Sequence, residues 1–244
     1  ADNDTLLGQA GEDEINGGAG DDSVVAGADD DSVYGDIGQD TIDAGAGADT
    51  VDGFDGADSI SGGDGEDSID GGAGGDTIFA GNDDDTVNGG AGPDSVSGGN
   101  GADFLSESGG DGNDTYDGGD GNDDIGTGDG NDSVIGGNGD DTIAAGTGND
   151  TISGGDGDDS IRPDAGGLAG LDYITVGAGS DTVTGDWTAE DLVGDTITDF
   201  NSDFTDDDID LIIVEGNNTG DTIVAALTDK LDIQGQFEMD FFGL

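Results

Sequence analysis

Nineteen aspartates recur along the chain, each two residues before a large apolar side chain, at a spacing that hardly varies. Asp13, Asp22, Asp31, Asp40, Asp49, Asp58, Asp67, Asp76, Asp85, Asp94 and Asp103 stand nine apart. Asp114, Asp123, Asp132, Asp141, Asp150 and Asp159 resume the pattern after a two-residue insertion at Glu107-Ser108, and Asp172 and Asp181 follow a four-residue insertion. The apolar partners run from Ile15 to Leu105, from Tyr116 to Ile161, and end at Ile174 and Val183. Carboxylates repeated in one environment are poor acid–base catalysts, because a glycosidase-type pair needs two carboxyls held in contrasting surroundings. The chemistry they offer is that of hard oxygen donors: ligands for a cation, or a solvated acidic face.

The repeating unit reads most cleanly as Gly62-Gly63-Asp64-Gly65-Glu66-Asp67-Ser68-Ile69-Asp70, the pattern G-G-x-G-x-D-x-U-x with U a large aliphatic residue. Glycine at places one, two and four supplies positive φ and close backbone approach, so the first six residues read as a turn. The last three, with their β-branched content, read as a short strand whose central residue points inward. Two nonamers close a coil of eighteen residues, and successive coils stack as parallel strands roughly 4.8 Å apart. Odd repeats (Ile15, Val33, Val51, Ile69 and onward) then line one sheet and even repeats the facing one. Nine to ten coils give a body on the order of 45 Å long. The fold class expected is all-β: a right-handed parallel β-roll, or β-solenoid, over residues 1–184, with a C-terminal cap over 185–244.

Such a roll has a narrow core. Two aliphatic side chains per coil, each worth about 1.5–3 kcal/mol when buried, fall short of the conformational entropy of eighteen ordered residues. The loops must supply the difference. Aspartates at place six of repeats n and n+2 fall one coil apart, as in Asp22/Asp40, Asp49/Asp67 and Asp132/Asp150, and two carboxylates about 5 Å apart repel by about 0.8 kcal/mol even in water. A divalent ion between them reverses that sign. Mixed carboxylate and carbonyl oxygens in a flexible shell suit Ca²⁺ better than octahedral Mg²⁺. With neither cysteine nor histidine in the chain, zinc, copper and iron are poor candidates. One gap per n/n+2 pair gives about seventeen positions, and on the order of fifteen ions once the insertions are allowed for. All nineteen aspartates are the expected metal ligands; no catalytic or organic-cofactor residues are expected.

Composition bounds the alternatives. Sixty-one acids against two bases give a formal charge of −59, which repels phosphate and anionic membranes and excludes nucleic acid as a partner. Fifty-four glycines and few large apolar residues describe an acidic disordered polymer unless a cation orders it. Neither a membrane-length apolar stretch nor a basic-then-apolar leader is visible. Asp4 and Leu6 occupy the aspartate and aliphatic places of a repeat already under way, which raises the expectation of an upstream domain.

The nonapeptide, covering about three quarters of the chain, resembles the haemolysin-type calcium-binding repeat of the RTX (repeats-in-toxin) family. The resemblance implies calcium-dependent folding, export through type I secretion machinery and an extracellular or cell-surface location. From Gly185 the period fades and Trp187, Phe200, Phe204, Phe237, Phe241 and Phe242 appear, as expected of an atypical terminal unit. Asp195–Phe200 and Asp208–Val214 read as strands. Thr222–Leu231, with Ile223, Leu227 and Leu231 four apart, reads as an amphipathic helix. The run from Asp195 to Leu211 resembles the closing segment of secreted proteases and haemolysins of this family, and Asp240-Phe241-Phe242-Gly243-Leu244 resembles its secretion end. Packing of Phe241 and Phe242 on the cap is the alternative.

Other motifs carry less. Ser68 and Ser95 have no histidine or lysine base, the glycine loops lack the phosphate-binding lysine, and the asparagine sequons at Asn113, Asn131 and Asn149 follow from asparagine at place five. Place three holds threonine only at Thr147, so there is no threonine ladder of the ice-binding kind. Gln9, Asp36 and Phe54 replace the glycine at place two and are expected to point outward. Asp29 and Asp83 replace the glycine at place four, where they either add a ligand or lose a turn. The insertions are expected to bulge from the stack. Two roles remain: a structural surface-layer, adhesin or filament subunit that associates end to end, or the export and folding module of a larger secreted enzyme or toxin.

Calcium near a Kd of about 10⁻⁴ M contributes roughly 1.4 kcal/mol per site in a millimolar bath and almost nothing at cytosolic levels. Circular dichroism is therefore expected to change from disordered in chelator to β-rich in millimolar calcium; identical spectra would contradict the cation requirement.

Overall fold

A computed structural model of the chain describes residues 2–109, 112–163, 170–185, 196–200, 210–215 and 222–227. Its strands form two sheets. The first has eleven, in the order Thr5–Ala10, Ser23–Ala28, Thr41–Ala46, Ser59–Asp64, Thr77–Asn82, Ser95–Asn100, Thr115–Asp120, Ser133–Asn138, Thr151–Asp156, Tyr173–Ala178 and Thr196–Phe200. The second has twelve: Glu14–Ala19, Ser32–Ile37, Thr50–Asp52, Ser68–Asp70, Thr86–Asn88, Phe104–Ser106, Asp124–Gly126, Thr142–Ala144, Ser160–Arg162, Thr182–Gly185, Asp210–Glu215 and Thr222–Leu227. The chain alternates between the sheets at every repeat, so each strand pairs in parallel with the one two repeats later: Val24 opposite Ile42, Val33 opposite Val51. This is a parallel β-solenoid of about ten turns, with the odd and even repeats sorted as the nine-residue period predicts.

The inward side chains are stacked in two files. Val24, Ile42, Ile60, Ile78 and Val96 lie on one sheet and Val33, Val51, Ile69, Val87 and Leu105 on the other, none more than 2% exposed. Residues on either side of these face outward, as Phe79 does beside Ile78. The three-residue strand expected from the pattern is right for the second sheet from Thr50–Asp52 to Ser160–Arg162. First-sheet strands are twice as long, because pairing there continues through places one to three, as in Gly27 opposite Gly45 and Ala28 opposite Ala46.

The turns explain why so many places demand glycine. Gly63 has φ of +124°, and a Cβ there would press on the carbonyl oxygen of Gly45 one coil away. The non-glycine residues at these places keep the same backbone: Gln9, Asp36 and Phe54 at place two and Asp29 and Asp83 at place four all have φ between +67° and +89°. Asp29 and Asp83 therefore keep the turn.

After Gly185 both sheets continue. Thr196–Phe200 pairs in parallel with Tyr173–Ala178, and Asp210–Glu215 with Thr182–Gly185, which matches the two strands read from the sequence. The helix expected over Thr222–Leu231 is not formed in the part that is described, Thr222–Leu227. Thr222–Leu227 is instead a strand antiparallel to Asp210–Glu215. Apolar residues four apart fit either periodicity, and the β-branched Thr222-Ile223-Val224 beside an open sheet edge favours the strand. Trp187, Phe204, Phe237, Phe241 and Phe242 lie outside the described residues.

Holding an L-residue in the left-handed region costs on the order of 1 kcal/mol. Asp83→Gly is expected to raise the stability of the calcium-loaded chain by about that amount in thermal unfolding. A lower stability would instead make Asp83 a ligand.

Candidate metal centre

Each place-six aspartate closes a glycine turn and opens a strand, so its backbone is fixed on both sides. Eighteen of the nineteen, Asp22 to Asp181, are buried at 1–3% exposure, and Asp13 in the first coil is half-buried. They stand in two files, one at each edge of the roll. Within a file the backbone N–H of each aspartate donates to Oδ1 of the aspartate one coil on: Asp22 to Asp40 at 2.7 Å, Asp40 to Asp58 at 2.7 Å, Asp31 to Asp49 at 2.7 Å, Asp49 to Asp67 at 2.8 Å. The ladder crosses both insertions without a break, through Asp94 to Asp114, Asp103 to Asp123, Asp150 to Asp172 and Asp159 to Asp181. The stacked carboxylates thus meet an amide as well as one another, a contact that the residue spacing does not reveal.

The second oxygen is different. Oδ2 of Asp13, Asp22, Asp31, Asp40, Asp49, Asp58, Asp67, Asp76, Asp85, Asp94, Asp103, Asp114, Asp123, Asp141 and Asp159 is sealed from solvent and accepts no hydrogen bond. Asp132 differs in that the Thr127 hydroxyl stands beside it. Oδ2 points over the α-carbon of its own place-one residue. A Cβ built on Gly35 would lie 2.6 Å from Asp40 Oδ2 and 2.8 Å from the carbonyl oxygen of Gly53 in the next coil; on Gly17, 2.7 Å from Asp22 Oδ2 and 3.0 Å from Gly35 O. A cradle that a methyl group would fill is therefore bounded by one carboxylate and one carbonyl oxygen. Ala26, Ala44, Ala80 and Ala145 place a methyl at the corresponding position and are fully buried.

Burial dominates the titration of these groups. It pushes Asp58, Asp67, Asp76, Asp94, Asp103 and Asp141 from 3.8 up to about 6, and Asp85 and Asp159 up to about 7, against the opposing effect of the backbone N–H. Neighbouring aspartates of the same file raise them further. A buried, acceptor-only oxygen beside a carbonyl oxygen fits a hard cation or a proton.

Two features escape the nine-residue reading. Place five carries a second ladder on the surface: Oδ1 of Asp21, Asp30, Asp84, Asn122 and Asp140 accepts the place-five N–H of Gln39, Ala48, Ala102, Asp140 and Asp158. Asn113, Asn131 and Asn149 belong to it, with Asn113 Oδ1 accepting from both N and Nδ2 of Asn131. The sequon asparagines thus serve the stack, and the frequency of Asp and Asn at place five was the available signal. Glu107 is the other. It does not bulge outward: it follows Leu105 and Ser106 in the inward place-one position, in line with Gly89 and the buried Thr127. Its Oε2 accepts the hydroxyl of Tyr116 at 3.0 Å, and burial pushes its carboxyl up to about 8. Ser68 and Ser95, weighed as nucleophiles, are exposed on the outer face.

The family model described as the RTX calcium-binding nonapeptide repeat matches residues 1–33, 17–51, 34–69, 52–87, 79–106, 108–143, 135–167 and 166–196. The chain belongs to the RTX calcium-binding repeat family. No curated protein matches it. RTX repeats bind calcium, and proteins that carry them are typically secreted; their β-solenoid is a structural calcium-binding fold. The orphan Oδ2 and its facing carbonyl are features of this RTX roll that suit such an ion.

Because the buried carboxyls are raised, the folded, metal-free roll holds more protons than the unfolded chain. Its stability is greatest below about pH 4 and is lost as pH rises through about 6 to 7. In chelator, acidification from about pH 7.5 to about pH 5 is expected to increase the β signal, protons replacing calcium. A pH-independent spectrum would contradict burial of the acids.

Proposed function

We propose that the chain is an extracellular structural protein whose roll is assembled by calcium, and that it serves in a surface layer, adhesin or filament. The observation that carries this reading is the sealed Oδ2 repeated along both files, an arrangement with a use only where divalent cation is abundant. The place-six aspartates Asp13 to Asp181 are the proposed ligands, aided by carbonyls such as Gly53 O, with one ion per gap and on the order of fifteen in all. Orphaned oxygens of this kind cost about 1–3 kcal/mol each when left unmatched, so above neutral pH, where protons are scarce, the roll forms only where calcium supplies the partner. Residues 1–184 are assigned to the roll and 185–244 to the cap and secretion end. Type I machinery would carry the chain out while it is calcium-poor and unfolded.

Sheet edges favour the structural role. Thr5–Ala10 and Glu14–Ala19 each end a sheet, with backbone groups on which a preceding coil can stack, from another copy or from an upstream part of the same chain. A second reading is supported by Thr196–Phe200 and Asp210–Glu215, which extend both sheets over the stretch that resembles the closing segment of secreted RTX enzymes. In it the chain is the export and folding module of a larger enzyme or toxin.

Light scattering in millimolar calcium separates the two. Growth of the purified chain to linear oligomers, reversed by chelator, is expected of the structural role. A calcium-loaded monomer at all concentrations would favour the second.

A further inference from the structure

Among the described residues, one coil of the roll is unlike the rest. Glu107 brings a third carboxylate into the gap between Asp94 and Asp114, and carboxylate oxygens of the three residues all lie within 4.8 Å of one another. Asp94 is 3% exposed and Asp114 2%, their Oδ2 atoms accept no hydrogen bond, and Glu107 Oε1 is also sealed without a partner. Asp94 Oδ2 approaches Gly89 together with the Tyr116–Glu107 pair: a Cβ there would lie 2.5 Å from Tyr116 Oη, 2.9 Å from Glu107 Oε2 and 3.1 Å from Asp94 Oδ2. Tyr116 is fully buried, the largest side chain in the core and the one aromatic residue in the inward files between Ile15 and Val183. Its hydroxyl lies 3.0 Å from Glu107 Oε2 and 3.1 Å from Ser106 O, and so holds the glutamate in place.

We propose that Glu107 turns the gap between Asp94 and Asp114 into a three-carboxylate divalent-cation site, unlike the two-aspartate gaps of the other coils, and that it is the tightest in the roll. Calcium takes oxygen ligands at about 2.3–2.6 Å, so oxygens up to about 5 Å apart can share one ion. The three carboxylates meet that limit together. Elsewhere the place-one position holds glycine, alanine, threonine or another residue without a carboxylate, so a repeating gap has only its two aspartates. Affinity in oxygen sites rises with the number of charged ligands. Two buried aspartates and a half-buried glutamate with a sealed Oε1 give this gap the deepest potential, and an ion held here would pin the coils on both sides of the Glu107-Ser108 insertion, where the nine-residue register breaks. The proposal shares with the family reading the identity of the ion, but the site depends on Glu107, which lies outside the repeat pattern.

Terbium(III) is a probe of such a site, because it takes calcium positions and emits when a nearby tyrosine is excited. The full chain is folded in millimolar calcium and a fraction of an equivalent of Tb³⁺ is added. Emission excited through tyrosine is expected at this first addition. Tyr116→Phe should abolish that emission while leaving circular dichroism in calcium unchanged. Glu107→Gln, an isostere without the charge, should require about tenfold more Tb³⁺ for the same emission. Glu107→Ala, which restores the chemistry of neighbouring place-one positions, should do the same. First-addition emission that survives Tyr116→Phe, or Glu107→Gln titrating as the wild type, would overturn the site while leaving calcium-dependent folding in place. A wild-type chain with no calcium response would overturn both.

Discussion

A carboxylate sealed inside a protein has two oxygens to satisfy, and the backbone of the roll satisfies one. The N–H of each place-six aspartate serves Oδ1 of the aspartate one coil on, but the strand ladder and the turns use the other amides, so nothing remains for Oδ2. That oxygen needs a cation or a proton, and burial accordingly raises these groups toward neutral pH. The remaining architecture brings that oxygen to the same point in every coil.

Glycine at place one leaves room over its α-carbon for Oδ2 and the next coil's carbonyl oxygen, as at Gly35. Glycine at place two lets neighbouring turns stack carbonyl against α-carbon, as at Gly63 over Gly45. The aliphatic at place eight fixes the register, because a slip of one residue would turn it outward and the aspartate with it. Since each coil touches only its neighbours, the stability of the stack is a sum of near-identical interfaces, and a charge mismatch in one gap is felt locally. Tyr116 and Glu107 illustrate this. Room for a larger inward side chain and an additional inward carboxylate occurs at the insertion, and the aspartate ladder runs through it unbroken.

Much of this was legible from spacing alone. Asp67, two places before Ile69 and nine after Asp58, fixes the period, and the period dictates which repeats share a sheet. The hydrogen bond from Asp49 N to Asp67 Oδ1 was not legible, because residue types do not say where an amide points. Nor was the inward course of Glu107: an insertion of two residues can be placed on either side of the turn, and an acid is ordinarily put outside. Gln9, Phe54 and Asp83 keep left-handed backbones against their own preference, since the neighbouring coils over-determine the turn. Thr222–Leu227 became a strand because the edge of Asp210–Glu215 offers hydrogen bonds that no local pattern encodes.

A single atom repeated many times, Oδ2 of the place-six aspartates, is proposed to meet a metal ion. Crystals grown in millimolar calcium, with anomalous scattering recorded at long wavelength, test it directly. A row of anomalous peaks is expected along each edge of the roll, every one within about 2.3–2.6 Å of a place-six carboxylate oxygen. A folded roll whose Oδ2 atoms contact only water or protein, with no peak beside them, would contradict it.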